Sequence, residues 1–148
     1  MLALESRMLQ RSSVPRPRHT QILFACGLLL YWGLMMVAFH IPLQREEQLT
    51  RLPIDKVVHF SAYGMLTLLL LMASDGFVSL PGFVNRLGLV PKALIILACV
   101  SLHGLADEFT QPLTGRDFDW WDWAADISGS ASALVLYGRM LRRRLERT

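Results

Sequence analysis

The chain has 148 residues, of which 53% are apolar, and its mean hydropathy is +0.36. This composition excludes an ordinary soluble domain and favours one small unit embedded in a membrane. The net charge of +3 does not indicate nucleic-acid binding, because the basic residues cluster near the two ends and the acidic residues lie between them. Such basic ends are typical of anchors beside membrane-spanning segments. They comprise Arg7, Arg11, Arg16 and Arg18 near the start and Arg139, Arg142, Arg143, Arg144 and Arg147 near the end.

The first apolar run follows a basic arm, residues 1–20, which is predicted to be disordered or to lie on a surface. Residues 22–39 carry no charge. At about 1.5 Å per residue, a helix of this length nearly crosses a hydrocarbon core of about 30 Å. A basic region before an apolar run also suggests a secretory signal, but Met36, Val37 and Ala38 fit a cleavage site poorly. We therefore interpret the run as an uncleaved first span.

Three further spans are predicted from the remaining apolar runs. They cover about residues 56–73, 92–106 and 123–141. The segment 40–55 between the first two spans is a polar, proline-containing loop, whereas the segment 75–91 is apolar enough to lie along the membrane surface. The sequence thus predicts an all-α membrane protein with one four-helix transmembrane domain, residues 21–141, and a basic tail, residues 142–148.

The orientation follows from the distribution of Lys and Arg. If the chain begins in the cytoplasm, the inner segments hold eleven Lys and Arg residues and the outer segments hold four. This asymmetry predicts that both termini are cytoplasmic. Most acidic residues then fall on the outer side, so we expect a polar cluster at the extracytoplasmic face.

The second span opens with DKVVHF, which places Asp55 and His59 four residues apart on one helical face. The carboxylate can there hold the imidazole, with Lys56 and Tyr63 close to the same end. The alternative is an ordinary interfacial histidine beneath an acid that favours the helix N-terminus.

The third span ends in HGLADEFTQ, in which Glu108 and Gln111 are three residues apart and Asp107 and Gln111 are four apart. An acid at this depth can serve as a general acid or hold a proton for transport. The alternative is a hydrogen bond between helices that only specifies packing. His103, one turn deeper, is more typical of a core histidine whose hydrogen bonds are satisfied.

The fourth span opens with an acidic stripe, because Asp119, Asp122 and Asp126 follow spacings of three and four residues. Like charges on one face need a cation, which can be Arg116, Lys56, a bound metal or a positive group of a substrate. Capping by Asp117 or Asp119 explains one of the acids without any function.

Other residues near this point predict local structure. Pro112 and Gly115 predict a turn that folds Arg116 back over the acids. Small residues that recur every four positions predict close helix packing. These small residues are Ala125, Gly129 and Ala133. The neighbouring Trp120, Trp121 and Trp123 are typical of an interfacial aromatic belt.

Taken in order, these motifs resemble the VanZ-like family of small bacterial membrane proteins. The resemblance covers residues 55–129 and rests on DKVVHF, EFTQ, a Gly-Arg pair and D-x-x-D-x-x-x-D-x-x-G. The residues on the family's motif are Asp55, Lys56, His59, Glu108, Gln111, Arg116, Asp119, Asp122 and Gly129. At Asp126 the family more often has Asn. Founding members are associated with low-level resistance to the glycopeptide teicoplanin, which implies an envelope role in the bacterial inner membrane.

We therefore predict a pocket that binds or transforms an amphipathic envelope molecule. The predicted catalytic residues are His59, Glu108 and Asp122. The predicted substrate-binding residues are Asp55, Lys56, Gln111, Arg116, Asp119 and Asp126. The expected partners are membrane lipids and a lipid-linked precursor or a glycopeptide, and not nucleic acid; the sequence names no cofactor and leaves metal binding and oligomeric state open. The alternatives are a protein that sequesters a ligand without turnover and a structural or assembly protein.

Overall fold

The computed structural model describes residues 17–41, 53–74 and 87–146, and no strand occurs in these ranges. They form four α-helices and one short 3-10 helix between the third and the fourth. The α-helices are α1 (Arg18–His40), α2 (Pro53–Met72), α3 (Leu89–Thr110) and α4 (Trp120–Glu146), and the 3-10 helix covers Gln111–Thr114. The all-α prediction is therefore confirmed. Residues 1–16 of the basic arm, most of both predicted connecting loops and the last two residues of the tail lie outside the described residues. The end of the predicted arm, residues 18–20, belongs to the first turn of α1.

Each helix extends beyond the apolar run that predicted it. Helix α2 begins at Pro53, which is favoured in a first helical turn because it lacks the N–H that would be unpaired there. Helix α3 continues to Thr110, so Glu108 lies on its last turn. Helix α4 begins directly after Asp119, which accepts a hydrogen bond from the backbone N–H of Trp121 at 2.8 Å. This contact confirms the predicted capping role of Asp119.

Three helices are long and apolar enough to cross a membrane: Arg18–His40, Ile54–Met72 and Val90–Thr114, the last including the 3-10 helix. Their leucines, isoleucines and valines are largely exposed, as expected of surfaces that face lipid; Leu23, for example, is 70% exposed. Helix α4 has 27 residues but a lower apolar content, because it carries glycine, several serines and charges. The fourth span therefore stays a prediction.

The most extensive interface in the bundle joins α2 and α4. It is close because glycines meet there. A Cβ atom on Gly64 would lie 3.2 Å from the carbonyl oxygen of Gly129, and a Cβ atom on Gly129 would overlap the backbone of Phe60. The small residues of α4 thus bring the two backbones into contact, as the sequence predicts.

Helix α1 packs against α2 and covers part of the buried core. The tyrosine hydroxyl of Tyr31 donates a hydrogen bond to the carbonyl oxygen of Ala62 at 2.9 Å, which fixes α1 against α2. A buried apolar cluster lies beside this contact. Its members are Met35, Phe39, Tyr63, Leu66 and Val100.

Candidate functional site

A tight turn after α3 brings Arg116 back toward the bundle. Gly115 adopts the left-handed conformation with φ of 83°, and the backbone N–H of Arg116 donates to the carbonyl oxygen of Gln111 at 3.3 Å. The guanidinium of Arg116 is buried and donates to the carbonyl oxygen of Phe39 at 3.3 Å and to Oδ1 of Asp55 at 3.5 Å. The predicted turn is confirmed, and Arg116 pairs with Asp55 rather than with the acidic stripe.

The imidazole of His59 is fully buried and is held by a carboxylate from another helix. Nδ1 of His59 donates to Oδ1 of Asp126 at 2.9 Å, and Phe39 stacks on the ring at a centroid distance of 4.3 Å. The expectation that Asp55 holds His59 is wrong, although the two do share a helical face. The close α2–α4 packing brings Asp126 to the imidazole, while Asp55 turns toward Arg116.

Glu108 is also fully buried, and both of its carboxylate oxygens accept hydrogen bonds. Oε1 accepts from the side-chain amide of Gln111 at 2.9 Å, and Oε2 accepts from the backbone N–H of Asp119 at 3.0 Å. Oε1 also lies 4.0 Å from Nδ1 of His59. The predicted pairing of Glu108 with Gln111 is confirmed, and Glu108 links the end of α3 to the start of α4.

Lys56 is the cation that neutralises the outer part of the acidic stripe. Its ammonium nitrogen donates to Oδ2 of Asp119 at 2.5 Å and lies 2.6 Å from Oδ1 of Asp122. The sequence indicated Arg116 and Lys56 as candidate counter-cations of the stripe, beside a metal or a substrate group. Of the two side chains, Lys56 is the one in contact. Asp126, deeper in the bundle, has His59 instead.

The turn and helices thus bring all nine predicted site residues to one end of the bundle. We refer to them together as the polar cluster, which consists of Asp55, Lys56, His59, Glu108, Gln111, Arg116, Asp119, Asp122 and Asp126. Only Lys56, Asp55 and Asp119 retain appreciable side-chain exposure, so they mark the entrance.

The carboxyl of Asp119 lies at the entrance of the polar cluster, directly before α4, and its pKa is shifted. Partial burial raises the pKa of this carboxyl, but the hydrogen bonds from Lys56 and from the N–H of Trp121 outweigh burial and hold the pKa below its ordinary value of 3.8. A depressed pKa means that the ionised form stabilises the fold above the unfolded-state pKa. That contribution is lost as the pH falls through the folded-state value.

Substitution of Asp119 tests this contribution. We expect Asp119→Asn to lower the free energy of unfolding at neutral pH and the difference from wild type to close below about pH 4. Asp119→Ala also removes the helix cap, so at neutral pH it should cost about 1 kcal/mol more than Asp119→Asn. Denaturation in detergent across pH measures both. The exposed Asp117→Asn is the control, and a difference that persists unchanged in acid would contradict the assignment.

The polar cluster has the geometry to hold a metal ion in two ways. One candidate ligand atom from each of Asp55, His59 and Asp122 lies within 4.8 Å of the other two. The same holds for His59, Glu108 and Asp126. His59 belongs to both groups and carries a buried Nε2 without a hydrogen-bond partner in the described part of the chain.

A second hydrogen-bonded chain runs beside the polar cluster. The indole of Trp32 donates to Nε2 of His103 at 2.8 Å, so a neutral imidazole carries its proton on Nδ1, which lies 3.1 Å from the hydroxyl of Tyr63. That hydroxyl can then donate to Oδ2 of Asp107 at 3.3 Å, and Oδ1 of Asp107 lies 3.5 Å from His40. Both ring nitrogens of His103 have partners, as expected of a core histidine.

Sequence reasoning missed three residues that shape the site. Phe39 covers the His59 ring and supplies a carbonyl oxygen to Arg116. Gly104 leaves room for Asp126, because a Cβ there would lie 2.8 Å from Oδ2 of Asp126. Gly64 permits the close helix contact. The glycines could have been found as small residues on apolar helices, whereas nothing in its local sequence distinguishes Phe39.

Fold and site define an all-helical protein with three helices able to span a membrane and a buried, charged cluster at one end of its bundle. No protein-family model matches the chain, and no solved structure matches it significantly. An uncharacterized protein of the fission yeast Schizosaccharomyces pombe is 36% identical over 94 residues, which is 63% of this chain and 52% of that relative. The match thus spans about half the length of the relative. The VanZ-like resemblance stays a prediction.

Proposed function

We propose that the protein binds the polar head of an amphipathic envelope molecule at the polar cluster and acts on it there. One observation carries the proposal: His59, Glu108 and Asp126 are fully buried together between α4 and two helices apolar enough to span a membrane. Ionisable groups are expensive in such a setting and are therefore expected to serve a function. A histidine and acids in a low-dielectric pocket are also the components of general acid–base chemistry.

The residues of the polar cluster fall into three groups according to their chemistry. His59, Glu108 and Asp122 are the buried titratable groups to which we assign proton transfer. Lys56 and Arg116 are the two cations, so they would receive an anionic oxygen of the ligand. The remaining members bind or position the ligand and its neighbours. They are Asp55, Gln111, Asp119 and Asp126.

The proposed class of ligand follows from two features of the polar cluster, its cationic side chains and its position beside lipid-facing helices. A cationic pair beside lipid-facing helices suits a phosphate group on a lipid tail, which makes a lipid-linked precursor the leading candidate. The orientation by Lys and Arg supports an outward pocket, both termini in the cytoplasm and a fourth span in α4. The VanZ-like resemblance supports the bacterial inner membrane and a role in glycopeptide tolerance.

The second candidate is a structural or ligand-sequestering role without turnover. It is favoured by the way Arg116 joins the carbonyl oxygen of Phe39 in α1 to Asp55 in α2. Such a tie can serve packing alone. Sequestration of a cationic glycopeptide at the acidic entrance is less favoured, because Lys56 already neutralises Asp119 and Asp122.

The test is the binding of an isoprenoid phosphate to the full chain in detergent. We expect it to raise the melting temperature of wild type, because a ligand that binds only the folded state stabilises it. The uncharged isoprenol should have little effect. Glu108→Gln should abolish the gain while it preserves membrane insertion, whereas the exposed Asp117→Asn should keep it. If Glu108→Gln only lowers the melting temperature and wild type gains nothing from the phosphate, the packing role is favoured.

A further inference from the structure

We propose that the polar cluster binds a divalent cation through Nε2 of His59 and the carboxylates of Asp55 and Asp122. A ligand atom from each residue lies within 4.8 Å of the other two. Two ligands on opposite sides of a cation, with bonds of about 2.1 Å, are about 4.2 Å apart. Small side-chain rotations therefore bring all three onto one ion.

His59 is already oriented as a metal ligand. Its Nδ1 donates to Oδ1 of Asp126 at 2.9 Å, and Phe39 packs flat against the ring. Nε2 of the same ring is buried and has no hydrogen-bond partner within the described ranges. A carboxylate that holds one imidazole nitrogen while the other faces a metal is the usual arrangement around metal-bound histidines. Asp126 is thus a positioning residue.

The charge of the polar cluster also calls for a cation. It holds five carboxylates against one lysine and one arginine. Oδ2 of Asp55 is buried and lacks a hydrogen-bond partner among the described residues. A buried excess of negative charge is unfavourable unless protons or cations compensate it. Arg116 and Lys56 already contact Asp55 and Asp122, so a divalent ion between these two acids would offset the excess that remains in the cluster as a whole.

The other metal-capable group, formed by His59, Glu108 and Asp126, is less suited to an ion. Both oxygens of Glu108 already accept hydrogen bonds, from the side-chain amide of Gln111 and from the backbone of Asp119. Nδ1 of His59 is likewise occupied by Asp126. A metal there would displace three hydrogen bonds. In the Asp55 group, Nε2 of His59 and Oδ2 of Asp55 have no hydrogen-bond partner among the described residues, and only the contact of Asp122 with Lys56 would have to give way.

The ion would complete a site for a phosphate. One imidazole and two carboxylates suit Mn²⁺ or Zn²⁺ and leave coordination positions for ligand oxygens. Arg116 contacts Asp55 and Lys56 contacts Asp122, so both cations lie beside the ion. This part of the inference rests on the proposed function, and it narrows the ligand to a phosphate or pyrophosphate ester on a lipid tail.

The experiment is a titration of the chelator-treated full chain in detergent with Mn²⁺, followed by electron paramagnetic resonance. We expect one tight site per chain. Asp55→Asn and Asp122→Asn should each weaken binding at least about 100-fold, and Asp126→Ala by about 10- to 100-fold. Asp117→Asn and Glu108→Gln should change it by less than about threefold. Circular dichroism of each variant separates loss of the ion from loss of the fold.

The outcomes distinguish this inference from the proposed function. Absence of a tight Mn²⁺ site in folded wild type would overturn the inference, and so would a loss of Mn²⁺ binding in Glu108→Gln but not in Asp55→Asn. If isoprenoid phosphate still stabilises the metal-free chain, the proposed function survives that failure. If Mn²⁺ binds as expected and the phosphate does not stabilise the chain with or without it, the cation site stands and the lipid ligand is wrong.

Discussion

Gly129→Ala is expected to cause the largest loss of stability of any single methyl addition in the described helices. A Cβ at this position would overlap the carbonyl oxygen of Phe60 and lie 2.8 Å from its carbonyl carbon. These are backbone atoms of α2, so no side-chain rotation relieves the contact and the helices must separate. We expect a cost of about 3 kcal/mol in the free energy of unfolding, measured by denaturation in detergent. The separation should also weaken the contact between His59 and Asp126, because His59 directly precedes Phe60 and Asp126 lies about one turn before Gly129.

Gly138 supplies the matched control on the same helix. A Cβ there meets nothing within 4 Å. Gly138→Ala should therefore gain up to about 1 kcal/mol, because alanine favours the helix over glycine. Equal effects of the two substitutions would contradict the close α2–α4 contact.

Asp126→Ala is expected to have the second largest effect. His59 is fully buried, and its Nδ1 donates to Asp126. Removal of the acceptor leaves a buried donor unpaired, which costs about 1–3 kcal/mol, and it leaves a cavity as well. The same variant should release the His59 ring from its fixed orientation. Unfolding in detergent measures the loss.

Asp126→Asn is the conservative comparison. The amide oxygen of asparagine can still accept the hydrogen bond from Nδ1, so we expect a loss of less than about 1 kcal/mol. The VanZ-like resemblance fits this expectation, since asparagine is common at that position in the family. If Asp126→Asn is as damaging as Asp126→Ala, the role of Asp126 depends on its charge and not on its hydrogen bond.

The sequence allowed much of the site to be predicted, because helical spacing and turn residues are local signals. The acidic stripe of α4, the Glu108–Gln111 pair and the return of Arg116 all follow from short separations. Lys56 was among the predicted counter-cations of the stripe, and it is the one in contact.

The sequence did not predict which side chains from different helices contact each other. Asp55 and His59 share a helical face, but the nearest acceptor for the imidazole comes from α4, sixty-seven positions along the chain. That pairing depends on how closely Gly129 lets α4 approach α2. The cover supplied by Phe39 likewise depends on the packing of α1, which an apolar run without a distinct polar face leaves undetermined.

The polar cluster depends on the small residues that line the helix contacts. Glycines at positions 64, 104 and 129 remove the side chains that would keep the helices apart or displace Asp126. The backbones then approach closely enough for charged groups from three helices to make direct contacts. A pure packing device would not need buried polar atoms that lack a partner among residues 17–41, 53–74 and 87–146. Nε2 of His59 is such an atom, and it favours a bound ligand.

The most direct measurement is native mass spectrometry of the full chain released from membranes in mild detergent. We expect wild type to carry one anionic amphipathic molecule at near-stoichiometric occupancy, and Glu108→Gln to lack it while remaining folded by circular dichroism. Asp117→Asn should retain it. If folded wild type carries no such molecule and gains none when isoprenoid phosphate is added, the polar cluster is a packing device and the binding role is wrong.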